Sequence, residues 1–312
     1  MKQFNNIAIY GGGGWGCALA CQVARVKPHA LLHLRNTQIA AEIANNHTNK
    51  KYLGDALLAK NIKPTTDLNE ILPCDLIIIA VSSYSFTEVI DNLKIVGLNP
   101  NTPLLIATKG LSGNPVELLS DKLKSSLANP FAFISGPNFA REVVADQLTP
   151  VTIASSDLEL AEKIAASIAS KNFVPSTTQD IITVQIAGAI KNIIAIKSGM
   201  YEGYGYKENA KAGLITQGLK EITDLATALG GDFKTLLEPA VLGDLMLTCY
   251  SQTSRNTKFG YELAKAEDPA SFLKSYPHLI EGKESAPLVL ELARKHNIEL
   301  QIVTSVVQAL KS

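Results

Sequence analysis

Apolar and polar positions change rhythm once along this chain. In the first part, short continuous apolar runs alternate with amphipathic stretches. Ile7-Ala8-Ile9-Tyr10 closes a predicted buried strand over residues 4–10, a glycine-rich turn follows, and a helical pattern runs over 15–26. Residues 30–34 predict a second strand and 39–46 a helix. The run LIIIAV at 76–81 is the clearest buried strand, and 103–108, 131–135 and 151–154 read the same way. An amphipathic helix is predicted over 158–169. Strands that are apolar on both faces and alternate with helices specify a mostly parallel sheet covered on both sides.

From Gln179 onward strand signals nearly vanish, and helical patterns occupy 180–201, 209–229, 285–296 and 301–310. Two domains are therefore expected, residues 1–176 and 177–312, with the boundary near Pro175. A length of 312 residues agrees with two cores. Hydrophobic residues at 46% and charged residues at 19% exclude a disordered chain. Lys+Arg and Asp+Glu are 29 each, so nothing marks the chain as a general polyanion binder, and nucleic acid is not expected as a partner. The most apolar stretch, 181–196, is interrupted by Gln185, Lys191 and Asn192 and reads as a buried helix rather than a membrane span. No apolar leader precedes the first strand, so no signal peptide is expected. Cys17, Cys21, Cys74 and Cys249 form no CxxC pair, no metal cluster is suggested, and a reducing cytoplasm is expected.

The turn after the first strand reads Gly11-Gly12-Gly13-Gly14-Trp15-Gly16, with GxGxxG at Gly11, Gly13 and Gly16. Its strand–turn–helix context is the one a dinucleotide site requires. Gly11 permits the tight turn, Gly13 lets the backbone approach a pyrophosphate, and Gly16 lets the helix pack on the strand. The first domain is thus expected to be an α/β Rossmann-like, doubly wound sheet, followed by an all-α C-terminal domain. NAD sites place an acid at the end of the second strand; here the sequence is Leu34-Arg35-Asn36. A guanidinium there suits a 2′-phosphate, so NADP or NAD is expected as cofactor with NADPH favoured; the plainer reading is an exposed loop arginine.

Lys109 follows a strand, where ligand crevices form, and the turn Ser135-Gly136-Pro137-Asn138 follows the next. Lys191 stands among Ile190, Ile193 and Ile194. Burial would lower its pKa and suit it to proton exchange; the alternative is a place on the helix's solvent face. Asp244 could orient a lysine or bind a substrate hydroxyl. Ser254, Arg255 and Asn256 together suit a phosphate, and Ser254 also reads as a helix N-cap.

GGGGWGCALA, ATKGL, SGPNFA, GAIKN, GDLMLTC, SRNTKFG and IEGKESA occur in that order over roughly residues 7–287. Together they resemble the prokaryotic-type NAD(P)-dependent glycerol-3-phosphate dehydrogenases. The resemblance implies reversible reduction of dihydroxyacetone phosphate to sn-glycerol 3-phosphate for phospholipid synthesis. It implies Lys191 as the proton-exchanging residue and Gly14, Trp15, Arg35 and Ala140 as cofactor contacts. Lys109 would touch both ligands, as would Arg255. Gly136, Asn138, Asp244, Ser254 and Asn256 would bind substrate, and Leu279 and Glu281 are late cofactor contacts. Two departures stand out. Asn138 replaces the usual Ser or Thr, and Val81-Ser82-Ser83 replaces a Val-Pro-Ser turn, which is expected to loosen that loop. A small phosphorylated molecule is the expected partner, and a homodimer is left open. A β-hydroxyacid dehydrogenase of similar plan and a non-catalytic nucleotide sensor are the alternative readings.

Overall fold

In the computed structural model, residues 3–311 are described; the outer ends of the two expected domains, residues 1–2 and 312, lie outside the described residues. The strands, in chain order, are β1 (Ile7–Tyr10), β2 (Ala30–His33), β3 (Ile62–Thr65), β4 (Leu76–Ile79), β5 (Leu104–Ile106), β6 (Leu111–Ser112), β7 (Glu117–Leu118), β8 (Phe131–Ser135), β9 (Thr149–Ala154) and β10 (Phe173–Thr178). Eight form one sheet in the order β10-β9-β8-β5-β4-β1-β2-β3. Neighbours are parallel except β8 and β9. The order reverses between β1 and β4, so the turns that follow these two strands meet at a topological switch point. All four residues of β4 are buried, as its unbroken apolar run requires.

The sequence pattern missed β3 and β10, and each carries a proline, Pro64 and Pro175. Both strands lie at sheet edges, where a missing N–H leaves no ladder bond unmade. The residue chosen as the domain boundary therefore lies inside β10. The chain divides into two compact units. One holds residues 3–108 with Ser120–Ile181; the other holds Lys109–Leu119 and the residues from Ile182 onward. The short ribbon β6–β7 thus belongs to the otherwise helical unit, which is not purely helical.

Ser82 has a structural role at its turn. Its side chain accepts the Ser85 N–H and caps the helix Ser83–Ile95, a bond that a proline at this place would not make.

The second unit is built around the helix Ile181–Gly203. Its length and hydropathy would suffice to cross a membrane, but nearly all of its most apolar window is buried in the protein's own core. The helix Arg255–Lys265 crosses it at backbone contact. A Cβ on Gly199 would stand 1.9 Å from the Thr257 carbonyl oxygen, and one on Gly260 would stand 1.9 Å from that of Ile196. These glycines fix the approach that carries Arg255 and Asn256 toward Lys191. A third helix, Glu208–Ala228, is tied to the first by the Lys211–Glu202 ion pair at 2.7 Å.

Candidate active site

In the first unit the glycine turn has the expected form. Gly11 has φ +129°, and a Cβ there would meet the Ala80 carbonyl oxygen at 2.3 Å. A Cβ on Gly16 would come within 1.8 Å of the Gly11 oxygen, so only glycine lets the helix Gly14–Val26 start so close to β1. A Cβ on Gly13 would point into open space. Gly13 caps this helix without a side-chain hydrogen bond, and the first turn carries no acid. The free N–H groups and the positive dipole end therefore face an open position, as an anion requires. The indole Nε1 of Trp15 is buried without a partner, a further donor awaiting an acceptor. Asn49, fully buried, braces the turn from below: its Nδ2 donates to the Gly12 oxygen at 3.0 Å. These features fit a dinucleotide phosphate group.

Around this turn the first unit gathers Ala140 and an exposed Tyr52, both near Gly14. Gly136 is packed against the Pro150 carbonyl oxygen, which a Cβ would meet at 2.8 Å. The Nδ2 of Asn138 is buried without a partner, so the departure from Ser or Thr leaves a donor in place. Arg35 is exposed, and its Nη1 lies 3.3 Å from Glu88 Oε1. Its neighbour Asn36 caps the helix Thr37–Asn46.

The second unit holds a buried charge cluster. Lys191 and Asp244 are nearly inaccessible, with side-chain exposures of 9% and 1%, and Lys109 is at 16%. The two lysines share one carboxylate: Lys191 Nζ donates to Asp244 Oδ1 at 2.5 Å, and Lys109 Nζ donates to Oδ2 at 2.7 Å. Lys191 also donates to Thr248 Oγ1 at 3.1 Å, and that hydroxyl donates to the Asp244 carbonyl at 2.6 Å. Asp244 opens the helix Asp244–Tyr250, where the dipole favours a negative charge, directly after the π-helical turn Pro239–Gly243.

Two cations against one anion leave the cluster with an excess positive charge. Burial, reinforced by the Lys109 ammonium, pushes Lys191 down to about 8, although Asp244 pulls it up. Burial opposes ionisation of Asp244, yet the two lysines hold it below the usual carboxylate range. Lys191 therefore titrates near neutrality beside a carboxylate that stays charged. Its predicted burial is met, and the solvent-face alternative is excluded.

A second network adjoins the first. Asn192, next to Lys191, accepts from Asn256 Nδ2 at 3.0 Å and donates to Glu281 Oε2 at 3.0 Å. Asn256 Oδ1 accepts the Gly282 N–H at 2.9 Å, which fixes the start of the helix Glu281–Lys295. Arg255 Nη2 stands 3.9 Å from Glu281 Oε1, with both side chains largely exposed. Ser254 is buried and caps the helix Arg255–Lys265 by accepting the Thr257 N–H, as its plainer reading held. Leu279 is exposed. The second unit thus brings Lys109, Lys191 and Asp244 into one cluster, and Asn256, Arg255 and Glu281 into another linked through Asn192.

Thr248, Glu88 and Tyr52 were not named from the sequence, and Asn192 was noted only as a polar break in an apolar helix. Thr248 stands four residues after Asp244 on one helix face, a spacing that could have marked it. Nothing in the local sequence announced Glu88.

Comparisons with known proteins follow the same division of the chain. Residues 6–161 match the family model for the NAD-dependent glycerol-3-phosphate dehydrogenase N-terminus, and residues 180–312 match that for its C-terminus. The chain is 51% identical over 309 residues to a glycerol-3-phosphate dehydrogenase [NAD(P)+] of Rickettsia bellii, covering 98% of both. It is 49% identical over 310 residues to the Rickettsia typhi protein of the same name, covering 98% of this chain and 97% of the other. A 2.1 Å crystal structure of glycerol-3-phosphate dehydrogenase from Coxiella burnetii superposes with a TM-score of 0.91 at 33% identity, covering 99% of this chain and 98% of that one.

Proposed function

Because this chain belongs to the NAD-dependent glycerol-3-phosphate dehydrogenase family, we propose that it catalyses the NAD(P)H-dependent, reversible reduction of dihydroxyacetone phosphate to sn-glycerol 3-phosphate, supplying glycerophospholipid synthesis in the cytoplasm. The observation that carries the reading is the Lys109–Asp244–Lys191 cluster, a buried ammonium near neutrality held by a fixed carboxylate.

Gly11, Gly13, Gly14, Trp15, Gly16, Arg35 and Ala140 are the first-unit residues that would hold the dinucleotide. Lys109, Arg255, Leu279 and Glu281 are the second-unit candidates. When bound, the reduced nicotinamide supplies a hydride to the ketone carbon of the substrate. Lys191 does the proton work. Asp244 and Thr248 accept two of its three N–H donors, and the third would serve the substrate carbonyl oxygen. As negative charge develops there, the ammonium stabilises it and then transfers a proton, leaving a neutral amine and the product hydroxyl. In the reverse direction the neutral amine takes the hydroxyl proton as hydride leaves the carbon. Asp244 keeps Lys191 oriented, and Lys109 adds a second positive charge to the site. Ser254, Arg255 and Asn256 hold the substrate phosphate, with Gly136 and Asn138 as first-unit substrate contacts. Fixing the phosphate would fix the ketone oxygen relative to Lys191 in the same unit.

Initial rates with dihydroxyacetone phosphate and with small oxo acids, followed by nicotinamide absorbance with NADPH and NADH, test the proposal. Turnover is expected on the phosphate ester. A preference for an oxo acid would replace this reading with a β-hydroxyacid dehydrogenase. Cofactor binding without turnover on any ketone would make the chain a nucleotide sensor.

A further inference from the structure

A dinucleotide site that accepts NAD normally offers a carboxylate at the end of the second strand, as acceptor for the ribose 2′-hydroxyl. Here that strand end carries Arg35 and Asn36. The Asn36 side-chain oxygen accepts the Ile39 N–H at 2.9 Å as a helix cap. A carboxylate nevertheless reaches this place from a different element. Glu88 lies on the helix Ser83–Ile95, which follows β4, the neighbour of β1 on the side opposite β2. Its Oε1 is 3.3 Å from Arg35 Nη1, and the two side chains are 58% and 71% exposed.

We propose that Glu88 and Arg35 together read the cofactor 2′-position: Glu88 accepts from the 2′-hydroxyl of NAD, and Arg35 binds the 2′-phosphate of NADP. The assignment rests on the reading of the Gly11–Gly16 turn as a dinucleotide site. An exposed ion pair is weakly held, so the guanidinium can turn from Glu88 toward a phosphate. An ionised carboxylate only accepts. It has a partner in a hydroxyl and meets only repulsion from a phosphate. Both cofactor forms thus find one favourable group at the same spot, and Glu88 limits the preference for NADP that Arg35 alone would give.

The test is the substitution Glu88→Gln at an exposed position, with dissociation constants for NADPH and NADH measured by fluorescence titration in the absence of substrate. Loss of one repulsive charge is expected to tighten NADPH about threefold at low salt, and less at high salt. Loss of a charge-assisted hydrogen bond is expected to weaken NADH by up to about tenfold. Equal shifts for both cofactors, or none, overturn the role of Glu88. Arg35→Gln separates this failure from that of the underlying reading. A selective loss of NADPH affinity in that variant keeps the dinucleotide reading standing. An unchanged NADPH-to-NADH ratio in it overturns the proposal together with the assignment of the 2′-position to this strand end.

Discussion

Replacing Asp244 by asparagine isolates the electrostatics of the proposed proton donor. The substitution keeps the shape and removes the charge that both Lys191 and Lys109 contact. In the native cluster Lys191 titrates at about 8, with burial and Lys109 pushing down and Asp244 pushing up. Without the carboxylate the downward causes are unopposed. At an effective dielectric of about 20, a charge pair about 4 Å apart is worth about 4 kcal/mol, or about three pK units. Lys191, the more deeply buried of the two amines, then loses its proton well below its native value of about 8. At neutral pH the native lysine is mostly ammonium, whereas in the variant the neutral amine is favoured. Reduction, which needs the ammonium, should fall at least about tenfold at that pH.

The pH profile is the sharper readout. In the native enzyme the reduction rate should fall as pH rises through about 8, where the donor is lost, and the oxidation rate should rise through the same value, where the base appears. In Asp244→Asn the oxidation limb should move to lower pH, because the amine loses its proton more readily. Initial rates in both directions across that range measure this, with NADPH affinity and circular dichroism as controls for folding. Breaking a buried pair costs about 3–5 kcal/mol of stability, so the melting temperature should also drop. A variant that keeps the limb near 8, or that reduces substrate at native rates at neutral pH, would refute the argument that Asp244 sets the charge of Lys191.

Two further outcomes are expected. Lys191→Met should lower kcat at least about 100-fold while the NADPH dissociation constant stays at its native value; near-native turnover would remove Lys191 from the proton transfer. Gly16→Ala places a Cβ 1.8 Å from the Gly11 oxygen, so it should displace the turn, abolish measurable NADPH binding in titration and lower the melting temperature; retained affinity would show that the turn does not hold the dinucleotide.

The sequence carried the sheet where strands are buried on both faces and lost it where they are not. Residues 76–79 and 131–134 could be read from their apolar runs, because an interior strand covered on both faces is apolar along its length. Pro64 and Pro175 hid β3 and β10, because a proline argues against a strand unless the strand is known to be at an edge, and edge position is a property of the assembled sheet. The helix Ser83–Ile95 was missed for a related reason: it begins Ser-Tyr-Ser, and Tyr84 is 90% exposed, so its apolar spacing starts only at Phe86.

Residue types at the site were legible, but their pairings were not. Lys191 announced itself as a lysine in an apolar helix. Its counter-charge lies 53 residues away and the second lysine 135 residues from that carboxylate, separations that no local pattern encodes. The global balance of 29 cationic against 29 anionic side chains excludes a general polyanion binder but says nothing of how charges are grouped locally. The structure supplies the grouping. Arg35 and Arg255 also have carboxylate partners, Glu88 and Glu281, at exposed positions. Only Lys109 and Lys191 share a buried one. Burial divides the labour. Exposed pairs hold their partners weakly and can exchange a carboxylate for a ligand phosphate at little cost. A buried carboxylate bonded by both lysines cannot be exchanged without exposing an uncompensated charge, so it remains in place and tunes a pKa. On the proposed reading, the exposed Arg35 and Arg255 bind anions and the buried Lys191 moves a proton, with depth separating those two tasks.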